Sequence, residues 1–274
     1  MTVHLRKQLI ALAAGVSLAV IANGVPALAA TPADTLVEAF AIDDIISLDP
    51  AEAFELSTAE VTCNTYDLLV RLDINDTSKV VPDLAESWTV SPDRLTYTFK
   101  LKPGLVFASG NPITAEDVAW SFERAVKLNL NPAFLLNQFG LTGDNVADKA
   151  KAVDPTTFTL TVDQPYAPSF VLNVLTSTVG SVVDKKLVLE HVKPVTPSDE
   201  NKYDNDFGNG WLKTNYAGSG PFVTRVWKPS EAVVLERNDK YFGEKAKLAR
   251  VIYRHIKESS GQRLALEAGD IDVA

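Results

Sequence analysis

The sequence has one cysteine, Cys63, and three histidines, His4, His191 and His255, in 274 residues. A lone cysteine forms no internal disulfide and no cysteine-rich metal site. So few histidines also make most zinc chemistry an unpromising reading. Basic residues are outnumbered, 26 Lys and Arg against 35 Asp and Glu, and nowhere form a long run. A phosphate-tracking stripe is therefore missing, and nucleic acid is not an expected partner. The glycines of Gly218-Ser219-Gly220-Pro221 precede an apolar, strand-like run rather than a helix. They read as turn residues, not as a phosphate cradle, and no cofactor is expected. Beyond the first thirty residues no apolar run approaches the roughly 20 residues that a spanning helix needs. What remains is 46% hydrophobic and 22% charged, an ordinary globular balance in a chain long enough for two domains or one large one.

Residues 1–29 read as an export signal. Arg6 and Lys7 open it, an apolar run from Leu9 to Ala22 follows, and Gly24, Pro26 and Ala27-Leu28-Ala29 close it. That order, with a core of about fourteen residues, is the pattern of a secretory signal peptide cut after Ala29. No cysteine stands at the cut, so no lipid anchor is expected there. The mature chain would have 245 residues and a charge of −11.

The body alternates strand and helix patterns. Leu36 to Phe40 reads as a buried strand, Asp49-Pro50 as a break, and Ser57 to Leu69 as a helix with Val61, Thr65, Leu68 and Leu69 on one face. Cys63 falls on that helix as a small core residue. Pro82 to Trp88 reads as a connector. The clearest strand has Leu95, Tyr97, Phe99 and Leu101 alternating with Thr96, Thr98, Lys100 and Lys102, the signature of a sheet buried on one face. Val106-Phe107 is expected to begin another strand after Pro103-Gly104. Thr114-Ala115-Glu116-Asp117 opens a helix with Val118, Phe122, Ala125 and Val126 inward. Phe158, Leu160 and Val162 form a strand, and Ser169 to Leu175 a second apolar helix. Residues 194–220 are polar and turn-rich, with one helical turn expected at Trp211-Leu212-Lys213. A hairpin then joins Phe222–Trp227 to Ala232–Arg237. Val251-Ile252-Tyr253 is a strand, and Ser259 with Gln262 reads as a capping box for a helix over Arg263–Ala268 stopped by Gly269. Asp270-Ile271-Asp272-Val273 starts a strand with no visible partner downstream, so the sequence looks unfinished.

Ser47-Leu48-Asp49-Pro50, Pro82 to Trp88, Leu95 to Leu101, Thr114 to Val118, Gly218 to Phe222 with Trp227-Lys228-Pro229, and Ala268 to Asp272 together resemble one family. They are similar to the extracytoplasmic solute-binding proteins, family 5, of peptide- and nickel-type ABC importers. The resemblance implies an α/β fold, a periplasmic-binding-protein-like type II (cluster C) lobe with mixed sheets plus an extra α+β subdomain. It also implies a first lobe over residues 30–252, with the inserted subdomain at about 51–186, and a hinge strand and the start of a truncated second lobe over 253–274. The implied product is a monomeric periplasmic protein. It captures di- or oligopeptides, nickel chelates, sugars or opines between two lobes and delivers them to an ABC permease at the inner membrane. Family members run to about twice this length, so a one-lobe chain is expected to bind peptide weakly or not at all. Phe107-Ala108-Ser109-Gly110 lacks the charged residue that usually precedes the glycine.

By the same resemblance Phe54, Glu55, Leu56 and Ser57 lie on the cleft rim and meet the ligand main chain as an added strand would. Tyr253 lies at the crossover strand, and no metal or catalytic residue is expected. Phe54, Leu56 and Tyr253 also read as ordinary packing residues. Two other functions stay open: a peptide-binding sensor or chaperone without a transport role, and a periplasmic hydrolase using acidic pairs such as Asp43-Asp44 or Asp270 with Asp272.

Overall fold

The protein is described here as a computed structural model over residues 31–198 and 202–274; the export signal expected at residues 1–29 lies outside the described residues. Two four-stranded sheets carry the architecture. The first has the order β1 (Thr35–Phe40), β10 (Arg250–His255), β9 (Ala232–Arg237), β8 (Phe222–Lys228). Here β1 and β10 run parallel, with Glu38 beside Tyr253, and the other pairs are antiparallel. The second is antiparallel, β4 (Ala85–Val90), β5 (Thr96–Leu101), β7 (Thr157–Thr161), β6 (Ala150–Asp154). A hairpin of β2 (Val70–Leu72) and β3 (Val80–Pro82) stands apart from both.

The long helix α2 (Ala115–Leu128) covers the second sheet. Val118, Phe122, Ala125 and Val126 join Tyr97, Phe99, Phe158 and Leu160 in the larger core, as the two periodicities predict. A capping box opens the helix: Asp117 Oδ2 accepts from Thr114 N (2.8 Å) and Thr114 Oγ1 (2.7 Å). Short helices follow at α3 (Phe134–Asn137) and α4 (Val146–Lys149), then α5 (Pro168–Leu175), α6 (Lys185–Leu189) and α7 (Asn209–Leu212). Helix α1 (Leu56–Thr65) lies on the first sheet, where Val61 meets Ile42, Leu235 and Tyr253.

Five sequence expectations change. Helix α1 ends at Thr65 because tertiary groups take the Thr65 carbonyl: Gly220 N–H (3.0 Å) and the Tyr216 hydroxyl (2.7 Å) both donate to it. Leu68 and Leu69 therefore lie past the helix, and Cys63 is exposed rather than a core residue. The Pro82–Trp88 connector is the end of β3 and half of β4. Val106 makes one isolated bridge to Pro112 and starts no strand. At the end of the chain, α8 (Ser259–Ala268) begins four residues early, with Glu258 at its N-cap and Gln262 donating to Ile256 O at 2.6 Å, so the expected capping box does not form. Gly269 closes it with φ +77°, a conformation that favours glycine.

The segment after Tyr253 also folds back rather than away. Ala265 and Ile256 pack on Val37, Ala39 and Ile271, the face of the first sheet opposite α1. Asp272 N donates to Val37 O (2.8 Å), and Ala39 N to Val273 O (2.9 Å), so the terminal ribbon has its partner upstream, on the edge of β1. The ribbon thereby meets unpaired N–H and C=O groups on the edge of β1, while α8 buries no residue and leaves Leu264 and Leu266 exposed. Residues 31–274 form a single unit. Among the described residues no helix is long and apolar enough to cross a membrane.

Candidate functional site

In open α/β sheets, ligands bind beyond the carboxyl ends of the parallel strands, where the strand order reverses direction. In this sheet β1, at the edge, and β10 are the one parallel pair of strands, and their carboxyl ends are Phe40 and His255. The two loops that leave them are tied to each other. Ile42 N donates to His255 Nδ1 (3.1 Å), and Lys257 Nζ donates to Asp43 Oδ2 (2.8 Å). Lys257 holds the Asp43 carboxyl below its usual range, and Asp43 raises the lysine in return. Ser57, in the first turn of α1, donates its hydroxyl to Asp44 and brings the start of the helix to the same rim.

Phe54 and Leu56 stand on that rim. Leu56 is 90% exposed, and Phe54 packs edge-on against Phe134, with ring centroids 5.5 Å apart. Phe134 is itself 52% exposed, and Ile46, on the loop after β1, is exposed too. No local pattern marks Phe134 as a site residue, because it meets Phe54 only through the fold. Glu55 is half-buried and accepts from Phe54 N (3.1 Å) and Thr58 Oγ1 (3.3 Å), so it braces its own turn. Leu56 and Ser57 are helical. The strand-like main-chain contact expected of this stretch therefore has extended backbone only up to Glu55, whose ψ is 148°.

Tyr253 is placed elsewhere. Its ring is 2% exposed under α1, edge-on to Phe40, and its hydroxyl accepts from Asn64 Nδ2 at 3.2 Å. Burial and the nearby Glu60 and Glu38 push that hydroxyl well above its ordinary range. The structure thus leaves Phe54 and Leu56 exposed and Glu55 half-buried at this turn, and buries both Ser57 and Tyr253.

The turn that carries Phe54 is fixed from below by a buried ion pair. Arg124, on α2, grips Asp49 with Nη1 to Oδ1 (2.8 Å) and Nη2 to Oδ2 (2.5 Å). Its Nε donates to Phe207 O (2.7 Å), and Asn209 Nδ2 reaches Asp49 Oδ2 (2.8 Å). The Asp49-Pro50 break is therefore also an anchor between α2 and the polar 194–220 segment.

Three of these acids are already engaged, Asp43 with Lys257, Asp44 with Ser57, and Asp272 Oδ2 with Val37 N (2.7 Å), and Asp270 is exposed. Ser57 faces a carboxylate without a histidine between them, an arrangement that does not activate a hydroxyl nucleophile. Partial burial and Glu60 push the Cys63 thiol up, away from the thiolate form. Among the described residues no group of His, Cys, Asp and Glu is placed to hold a metal. The rim can hold a solute by shape, apolar contact and hydrogen bonds.

Comparison with known proteins bears on the family and the fold. Residues 79–274 match the model of the bacterial extracellular solute-binding proteins, family 5 Middle. The probable D,D-dipeptide-binding periplasmic protein DdpA of Escherichia coli K12 is 35% identical over 249 residues, 90% of this chain and 44% of that protein. The periplasmic binding protein DppA of Helicobacter pylori, solved with the peptide STSA, superposes with a TM-score of 0.68 at 30% identity, covering 86% of this chain and 45% of that one. MoaA of A. tumefaciens R10, solved with mannopinic acid, gives 0.71 at 28% identity, covering 87% and 44%. The fold is that of the type II periplasmic binding proteins. The chain spans less than half the length of these relatives.

Proposed function

Because the chain belongs to the bacterial extracellular solute-binding proteins of family 5, we propose that it is the ligand-capturing part of an ABC importer. It takes di- or oligopeptides, or related small solutes, at the rim and hands them to a membrane permease. The observation that carries this reading is the exposed apolar rim of Phe54, Leu56 and Phe134 beyond the carboxyl ends of the parallel strands. Exposed apolar clusters with polar neighbours mark binding surfaces. Residues 31–274 act as one lobe of a clamp, and the ligand's other side is met by a second lobe. Open and closed forms exchange, and the ligand favours the closed one by touching both lobes. The work is done in the periplasm after export directed by residues 1–29.

Titration of the chain with di- and tetrapeptides, followed by calorimetry and by backbone amide NMR, tests the proposal. A single lobe holds one side of a peptide, so a dissociation constant of ~1 mM or weaker is expected, with shifts concentrated at Phe54, Glu55, Leu56 and Ser57. Shifts that leave those four residues untouched would remove the rim from the site. Micromolar binding would show that no opposing lobe is needed.

A further inference from the structure

A cavity of about 640 Å³ opens where the C-terminal end of α1 meets the β2–β3 hairpin and the loop at Tyr241–Glu244. Helix α1 is ten residues long, which puts this cavity about 15 Å along the helix from the rim. Asp67 and Asp83 line it, 4% and 6% exposed. Asp67 Oδ2 accepts from the Ser219 hydroxyl (2.7 Å), and among the described residues Oδ1 has no hydrogen-bond partner. Asp83 Oδ2 accepts from Leu68 N (2.9 Å), and its Oδ1 is 3.9 Å from Arg71 Nε, too far for a hydrogen bond.

Two cations share the cavity without hydrogen-bonding to the acids, Arg71 standing at the outer limit of an ion pair with Asp83. Arg71 is half exposed, and Lys102 Nζ lies 5.0 Å from the centroid of the Phe242 ring. Burial first, and the neighbouring Asp83 second, push the Asp67 carboxyl up to about 7, while Lys102 and Arg71 only moderate the shift. A buried carboxylate pair in that condition holds either a proton or a cationic group. The far wall is apolar: Leu72, Pro82 and Ile74, the last 85% exposed at the hairpin tip.

Opposed acids and bases beside an apolar wall, in a cavity within the usual 300–1,000 Å³ range of small-molecule sites, complement a small zwitterion. We propose that this cavity is a second solute site, separate from the rim, that takes a free α-amino acid with an apolar side chain. The ammonium group sits at Asp67 Oδ1 and replaces the proton, the carboxylate turns to Lys102 and Arg71, and the side chain lies along Leu72 and Ile74. A net-neutral zwitterion enters and one proton leaves to solvent, so the net charge of the cavity falls by one in the exchange.

The test uses L-leucine with two fragments of it, 3-methylbutylamine and 4-methylpentanoate, titrated into the chain by calorimetry. Leucine should bind saturably, each fragment at least tenfold more weakly, and Asp67→Asn and Lys102→Met should each weaken leucine tenfold or more. Ile74→Asp, at an exposed position, should weaken leucine severalfold without moving the melting temperature, which covers a failure of the Asp67 variant to fold. Leu264→Gln on the outer side of α8 should change nothing. At pH 6 leucine binding should release a proton, read by repeating the titration in buffers of different ionisation enthalpy. No saturable leucine binding up to ~10 mM would overturn the proposal. Binding that survives both Asp67→Asn and Ile74→Asp, or that releases no proton, would overturn it as well.

Discussion

Asp49 and Asp67 are both buried acids, and their surroundings differ in kind. Four donors converge on Asp49: both Arg124 Nη atoms, Asn209 Nδ2 and Ala51 N. Asp67 has one, the Ser219 hydroxyl, and faces another carboxylate. A buried charge met by a bidentate guanidinium and neutral donors is a fixed structural joint. A buried acid left short of partners stays responsive to protons and cations. The first joins three distant stretches of chain under the rim, whereas the second lines an open cavity.

The contrast can be broken first at its stronger side. Arg124→Ala leaves the Asp49 carboxylate buried without its cation and should cost about 3–5 kcal/mol in urea unfolding. Replacing both partners, Asp49→Leu with Arg124→Met, should cost much less than the single change, because no unpaired charge is left behind. A double change as costly as Arg124→Ala would mean that the polar contacts themselves, and not charge compensation, hold the joint.

The weaker side should show in pH. The folded state raises the Asp67 carboxyl to about 7, above its unfolded value of about 3.9. Folding then favours the protonated acid. The contribution is fully present below about pH 4 and is lost as pH rises to about 7. Its slope is at most about 1.4 kcal/mol per pH unit for one proton. Asp67→Asn should flatten the stability profile across that window relative to the unaltered protein, and parallel profiles would show that Asp67 holds no extra proton. The smallest effect belongs to a local element that neither acid touches: Thr114→Ala should remove about 1 kcal/mol through the α2 capping box. A larger loss would mean that Thr114 supports the tertiary contact of Asp117 with Lys185 N.

How much could be read beforehand follows the range of the interactions. The alternation from Leu95 to Leu101, the inward stripe of α2 and the terminal glycine of α8 are set by neighbours within a few residues, and each stands where its pattern puts it. The end of α1 is different, because Gly220 and Tyr216 take the Thr65 carbonyl from outside the helix. The same contact corrects the reading of Gly218-Ser219-Gly220 as turn residues only. A Cβ on Gly218 or Gly220 would stand 2.6 Å or 2.5 Å from Thr65 backbone atoms, so these glycines permit a close backbone approach. At the site, the packing reading of Tyr253 was open from its strand pattern and is the one its burial fits, while the contact of Phe54 with Phe134 was not legible, since it depends on a partner far away in the chain.

Strand alternation, the amphipathic stripe and the glycine stops were written into the amino-acid order, because side-chain periodicity and backbone freedom act over one or two turns. Whether the last ribbon pairs with β1, which acids are compensated and which aromatic rings meet at the rim were decided by packing. Those outcomes depend on which surfaces lose water together, and the order of residues along a chain does not state that distance.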